Sequence, residues 1–170
     1  MGWCMDWSLF IGLNEQQFKI HLKEACFKTN LSLKLKPLSK TQGSIYDLRW
    51  KESRGGVSLM NPGGFENSHL ISRLIGEFAG CHWIWAQASH DEVWWYYYLR
   101  HGTETIDAFN VSKGQCRANG LKIFLTRRSR AWHAAKLARL CRVPAKKIIH
   151  YFQDWGASSV YRRGTAAYRK

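Results

Sequence analysis

Val93-Trp94-Trp95-Tyr96-Tyr97-Tyr98-Leu99-Arg100-His101-Gly102-Thr103-Glu104-Thr105-Ile106-Asp107-Ala108-Phe109 is the stretch whose reading sets the fold class. Val93 to Leu99 is an unbroken run of β-branched, aromatic and aliphatic residues, the types that pack well on a pleated surface. Successive strand side chains point to opposite faces, so Val93, Trp95, Tyr97 and Leu99 share one face and Trp94, Tyr96 and Tyr98 the other. Both faces are bulky, which reads as an interior strand covered on both sides. His101-Gly102 lets the chain reverse, and Thr105 to Phe109 returns as the partner strand.

Working outward, His82 to Ala88 reads as a strand that precedes this hairpin, joined to it by the polar turn Ser89-His90-Asp91-Glu92. The strands at 82–88, 93–99 and 105–109 then form an antiparallel meander. A helix beginning at Asn67 or Ser68 and ending near Ala79 carries Leu70, Ile71, Leu74, Ile75 and Phe78 at helical spacing, with Gly80 as its C-cap. Asn61-Pro62-Gly63-Gly64 reads as a turn. Short strands are expected at Ile45 to Lys51 and Val57 to Met60. Leu31 to Lys36 alternates apolar and polar residues as a half-buried edge strand, its lysines guarding the edge. Asp6 to Leu13 reads as the first strand. Asn14 is placed as an N-cap with Gln17 in the capping-box position, ahead of a helix that buries Phe18, Leu22, Ala25 and Cys26. The fold class is therefore α+β: a mostly antiparallel sheet with a meander, two helices packed on it, and a basic C-terminal helical pair.

Past Phe109 the character changes. Residues 1–110 hold 11 Lys/Arg and 11 Asp/Glu, whereas residues 111–170 hold 15 Lys/Arg and the single acid Asp154, so 15 − 1 accounts for the whole net charge of +14. The basic run Thr126-Arg127-Arg128-Ser129-Arg130 leads into a helix at 131–141, with Val143-Pro144 as a break before a second helix from 145 to about 155. This divides the chain into a charge-neutral α+β core at 1–110, a basic helical segment at 111–160, and a loose basic tail at 161–170.

The pattern Trp95-x-Tyr97-x-Leu99, then Gly102, then Ile106-Asp107-x-Phe109 resembles one found in small, mostly uncharacterised bacterial α/β proteins, some near the immunity-protein and accessory families. The stretch Ala138-x-Leu140-x-x-Val143-Pro144-x-x-x-Ile148-x-x-Tyr151-x-x-x-Trp155 resembles their C-terminal helical segment. The resemblance implies an α+β fold and a protein partner, and it brings no catalytic residues with it. The basic C-terminal third departs from the acidic character usual in immunity proteins that block nucleases.

Five widely spaced cysteines with no Cys-x-x-Cys pair suggest reduced thiols in a cytoplasmic protein rather than a disulfide framework or zinc ribbon. No apolar run is long enough to span a membrane, and no phosphate loop or dinucleotide fingerprint occurs, so no cofactor is expected. Cys81 and His82 are adjacent and would point to opposite faces of a strand, which argues against a shared metal. His90-Asp91-Glu92 reads as a polar turn rather than an acid–base cluster, and without a catalytic motif the chain does not read as an enzyme. Asp107 reads as closing its turn through the backbone or Thr103.

Two functional readings follow. The first is a non-catalytic, immunity-like or accessory protein-binding module, with Trp94, Tyr96 and Tyr98 as partner-binding residues if no helix covers them, and as core otherwise. The alternative is a nucleic-acid-binding protein working through 122–147, where Arg127, Arg128, Arg130, Lys136, Arg139, Arg142, Lys146 and Lys147 form a polyanion-binding array.

Overall fold

A computed structural model describes residues 4–36, 47–62, 68–89, 94–111, 127–148 and 162–168. The elements in chain order are β1 (Cys4–Ile11), α1 (Glu15–Lys28), β2 (Leu31–Lys36), β3 (Asp47–Ser53), β4 (Gly56–Pro62), α2 (Ser68–Ala79), β5 (His82–Ser89), β6 (Trp94–His101), β7 (Glu104–Val111), α3 (Arg127–Leu140) and β8 (Arg162–Tyr168). The described strands form one antiparallel sheet in the order β2-β8-β3-β4-β1-β5-β6-β7. The α+β class and the β5–β6–β7 meander are as expected. The aromatic strand β6 has a neighbour on each side, but the middle of the sheet is β4 and β1, so the hairpin lies at its margin.

Helix α1 starts where the cap predicts. The Asn14 side chain accepts from the Gln17 amide at 2.8 Å, and the Gln17 side chain accepts from the Asn14 amide at 3.1 Å. The Glu15 amide, a further donor orphaned by the helix start, is taken by the Glu52 carboxylate of β3 at 2.9 Å. Phe18, Leu22, Ala25 and Cys26 are buried as expected.

Alternation along β1 separates two layers. Phe10 and Ser8 face α1 and α2. Phe10 joins a core with Phe18, Leu22, Trp50, Leu59, Ile71, Ile75, Trp83 and Trp85, and Ser8 meets Ser72 of α2 through a buried 2.7 Å hydrogen bond. Burying each of these large side chains contributes roughly 1.5–3 kcal/mol. Trp7, Leu9 and Ile11 face the other way, with Ile84 and Leu99 in register beside Leu9, and all are buried.

Helix α2 lies close to β5 because Gly76 has no side chain. A Cβ there would overlap the Trp83 indole. Alanine is the better helix former by about 1 kcal/mol, yet overpacking of this kind costs typically 1–3 kcal/mol. Gly76→Ala is therefore expected to be destabilising overall, read as a lower thermal midpoint; an unchanged or raised midpoint would show that α2 moves aside without cost.

Several expectations are corrected. Residues 162–168 are a strand, not a loose tail: β8 lies between β2 and β3, with Leu31 opposite Tyr168 and Trp50 opposite Arg162. One sheet therefore draws strands from both ends of the sequence. The segment Arg162-Arg163-Gly164-Thr165-Ala166-Ala167 lacks the bulky alternation that marks a strand, but β2 along 163–168 and β3 along 162–165 offer its backbone hydrogen bonds. Helix α3 begins at Arg127 rather than 131, so the basic run is helix and not a lead-in; arginine is among the better helix formers. The turn expected over Asn61-Pro62-Gly63-Gly64 changes too: Asn61 and Pro62 belong to β4, and residues 63 and 64 lie outside the described residues.

Candidate nucleic-acid interface

Helix α3 lies on the sheet face opposite α1 and α2. Its inward residues His133, Ala134, Leu137 and Ala138 are buried, as are Cys141 and Ile148 beyond it. At the sheet margin Lys136 Nζ lies 2.8 Å from Asp107 Oδ2, and Asp107 stands opposite Leu99 on that same face. Asp107 thus anchors the basic helix, where the sequence suggested that it closes its own turn. At the other end, Gly55 of the β3–β4 turn sits against the Lys147 backbone, and a Cβ on Gly55 would overlap that carbonyl.

The corner between these anchors is made by backbone geometry. The Cys141 and Arg142 amides donate back to Leu137 and Arg139 carbonyls at 2.9 and 3.1 Å, and Val143 donates to Ala138 at 3.0 Å. Arg142 adopts a left-handed conformation at φ 56, which turns the chain sharply after the helix. Pro144 precedes a helical turn at 145–148, and its carbonyl accepts from the Lys147 amide at 2.9 Å.

The outward side of this segment is cationic and carries an exposed indole. Trp132 is 58% exposed and Leu140 39%; Arg139, Arg142, Lys146 and Lys147 are exposed. Residues 127–148 include eight Lys/Arg and no Asp or Glu. Lys136 is half-buried, paired with Asp107 and 6.0 Å from the Trp132 ring centre, so its charge is largely committed within the fold. Arg127, Arg128 and Arg130 lie on the first turn of α3, and their side chains lie outside the described residues.

Inside this layer His133 is held down to about 4 by burial first and by the Lys136 charge second, with Asp107 opposing. His82, whose ring centre is 4.5 Å from that of His101, is also lowered, by burial and then by His101 and Arg142. Burial pushes the Cys26 and Cys81 thiols up to about 11 and Cys141 to about 12.

No family model, curated protein or solved structure matches this chain.

Of the aromatic stripe, Tyr98 is half-buried on the α2 face and stacked on Trp85, with centroids 5.4 Å apart and planes 10° apart; the Trp94 and Tyr96 side chains lie outside the described residues. His90, Asp91 and Glu92 lie outside them as well. Among the described residues no three His, Cys, Asp or Glu gather as a metal site, and no helix is long and apolar enough to cross a membrane. Sequence reasoning named the exposed cations but missed Trp132. Helical spacing gave the signal: Ala134, Leu137, Ala138 and Cys141 define an apolar stripe, and Trp132 falls off it.

Proposed function

We propose that the chain binds nucleic acid through the outer surface of α3 and the corner at 142–147. The observation that carries this reading is the exposed set Arg139, Arg142, Lys146 and Lys147 beside exposed Trp132, in a segment without a carboxylate. Such cations release the counterions condensed on the phosphates they neutralise, which drives binding without sequence readout. An exposed indole adds a stacking surface for unpaired bases, so single strands are favoured over duplex. A cytoplasmic setting belongs to this reading, supported by the free thiols of Cys26, Cys81 and Cys141.

Fluorescence anisotropy with labelled single- and double-stranded oligonucleotides tests it. Affinity is expected to fall steeply with salt. Combined reversal of Arg139, Lys146 and Lys147 to Glu lowers it by about 100-fold or more at low salt, and flattens the salt slope by about one for each phosphate left unneutralised. Trp132→Ala weakens single-strand binding by ~1–3 kcal/mol and duplex binding much less. A flat titration at low ionic strength ends the proposal.

A protein partner is the second reading, in keeping with the immunity-like resemblance. Trp132 and Leu140, both exposed on α3, favour it, since exposed aromatics anchor protein interfaces. Its signature is specific capture of a protein that survives the triple charge reversal.

A further inference from the structure

On the α2 face of the sheet, burial falls off across the meander. Trp83 and Trp85 of β5 are buried, Tyr98 and Arg100 of β6 are half-buried, and their β7 partners Ala108 and Thr105 are exposed. His69 of α2 stands over this slope, its ring 4.5 Å from Trp85 in an edge-on contact and 6.1 Å from Tyr98. The Arg100 guanidinium lies 5.6 Å from the centre of the Trp83 ring and 5.3 Å from that of Tyr98.

The charges here are one-sided. Arg100 Nε and His69 Nε2 are buried and have no hydrogen-bond partner among the described residues. Arg73 of α2 is close enough to act on His69, and its own ion pair is with Glu77 at 3.3 Å. His69 is lowered by burial, then by Arg100, then by Arg73, and no acid among the described residues counters them. A guanidinium held between two rings is already oriented, and its planar fork matches an oxyanion in two-point contact. Burial of its Nε–H leaves one donor waiting for an acceptor.

We propose that Arg100 and His69 bind the oxyanion headgroup, carboxylate or phosphate, of a small ligand, with Arg100 as the charged fork and His69 as a second donor. The site is on the sheet face opposite α3 and stands apart from nucleic-acid binding. An anion placed between His69 and the two arginines cancels their repulsion of the imidazolium. Binding is therefore accompanied by proton uptake at His69, and by linkage the affinity rises as pH falls through the His69 transition. Among the described residues the titratable and charged groups around His69 are Tyr98 and Arg100 from β6, and Arg73, itself paired with Glu77, from its own helix.

Histidine C2-proton NMR titration of the full chain tests this, with His69 assigned through His69→Gln and with sodium phosphate, sodium benzoate and sodium chloride compared at equal ionic strength. The His69 transition is expected to move up in phosphate or benzoate relative to its position in chloride, and whichever probe does so identifies the headgroup. Arg100→Gln abolishes that difference. Equal transitions in all three salts overturn the proposal, as does a phosphate or benzoate effect that persists in Arg100→Gln. If Arg100→Gln does not fold, Arg100→Lys replaces it: a reduced effect supports the two-point contact, and an undiminished one overturns it.

Discussion

Between pH 6.5 and about 4 the protein is expected to lose roughly 3 kcal/mol of stability through His133 alone. His133 is 3% exposed on the inner side of α3. Its folded-state transition is pushed down to about 4 from an ordinary 6.5, by burial and by the neighbouring Lys136 charge. Above pH 6.5 the imidazole is neutral in both folded and unfolded chains and pH has no leverage through it. As pH falls below 6.5 the unfolded chain takes up a proton that the folded chain refuses, so the equilibrium moves toward unfolding. The loss is complete once pH has passed below the folded value. Urea midpoints measured across this window read the slope, and His133→Gln, which cannot titrate, should flatten it. His69 and His82 are lowered too and leave a smaller residual slope. An identical slope in His133→Gln and the parent chain would remove His133 as the cause.

A chain ending at residue 160 should fail to fold. It lacks β8, which among the described strands is the one that pairs with β2, and which covers one edge of β3. Two rows of backbone donors and acceptors lose their partners, and a domain with about 5–15 kcal/mol of total stability does not absorb that loss. Circular dichroism and size-exclusion chromatography should show an unfolded or aggregated chain. Thr165→Pro is the milder test: Thr165 stands between Lys34 of β2 and Asp47 of β3, and proline removes an amide from a strand paired on both sides, where it is poorly tolerated. A truncated chain with the parent's thermal midpoint would mean that β8 contributes nothing.

Local chemistry was the legible part of this fold. The Asn14–Gln17 cap, the alternation of Leu31, Leu33 and Leu35, and the helical spacing of Ile71 and Ile75 each report a pattern written within a few residues, and each element forms where that pattern lies. The edge position of β2 was legible too, because lysines on an alternating strand mark an unpaired side. What escaped is what depends on distant partners. Gly164 and Thr165 show no strand pattern of their own, and their conformation is dictated by the two edges they meet. Arg127 to Arg130 could be weighed as charge but not as the opening of a helix whose inner side is settled only by packing. The same limit applies to the sites. Arg139, Arg142, Lys146 and Lys147 were legible as a cationic set, whereas Lys136 turned out to be engaged by Asp107. Arg100 and His69 are 31 positions apart in sequence and share an environment only because α2 packs beside β6.

The strand order also sets a schedule for synthesis. Strands β2 and β3 emerge early from the ribosome, yet the strand that joins them is made more than a hundred residues later. Until then each presents an open hydrogen-bonding edge to whatever is nearby, including another nascent chain. Closing so long a loop is slow relative to local helix and hairpin formation. The β5–β6–β7 meander needs no such delay, so it is complete while the opposite margin of the sheet still waits for its last strand.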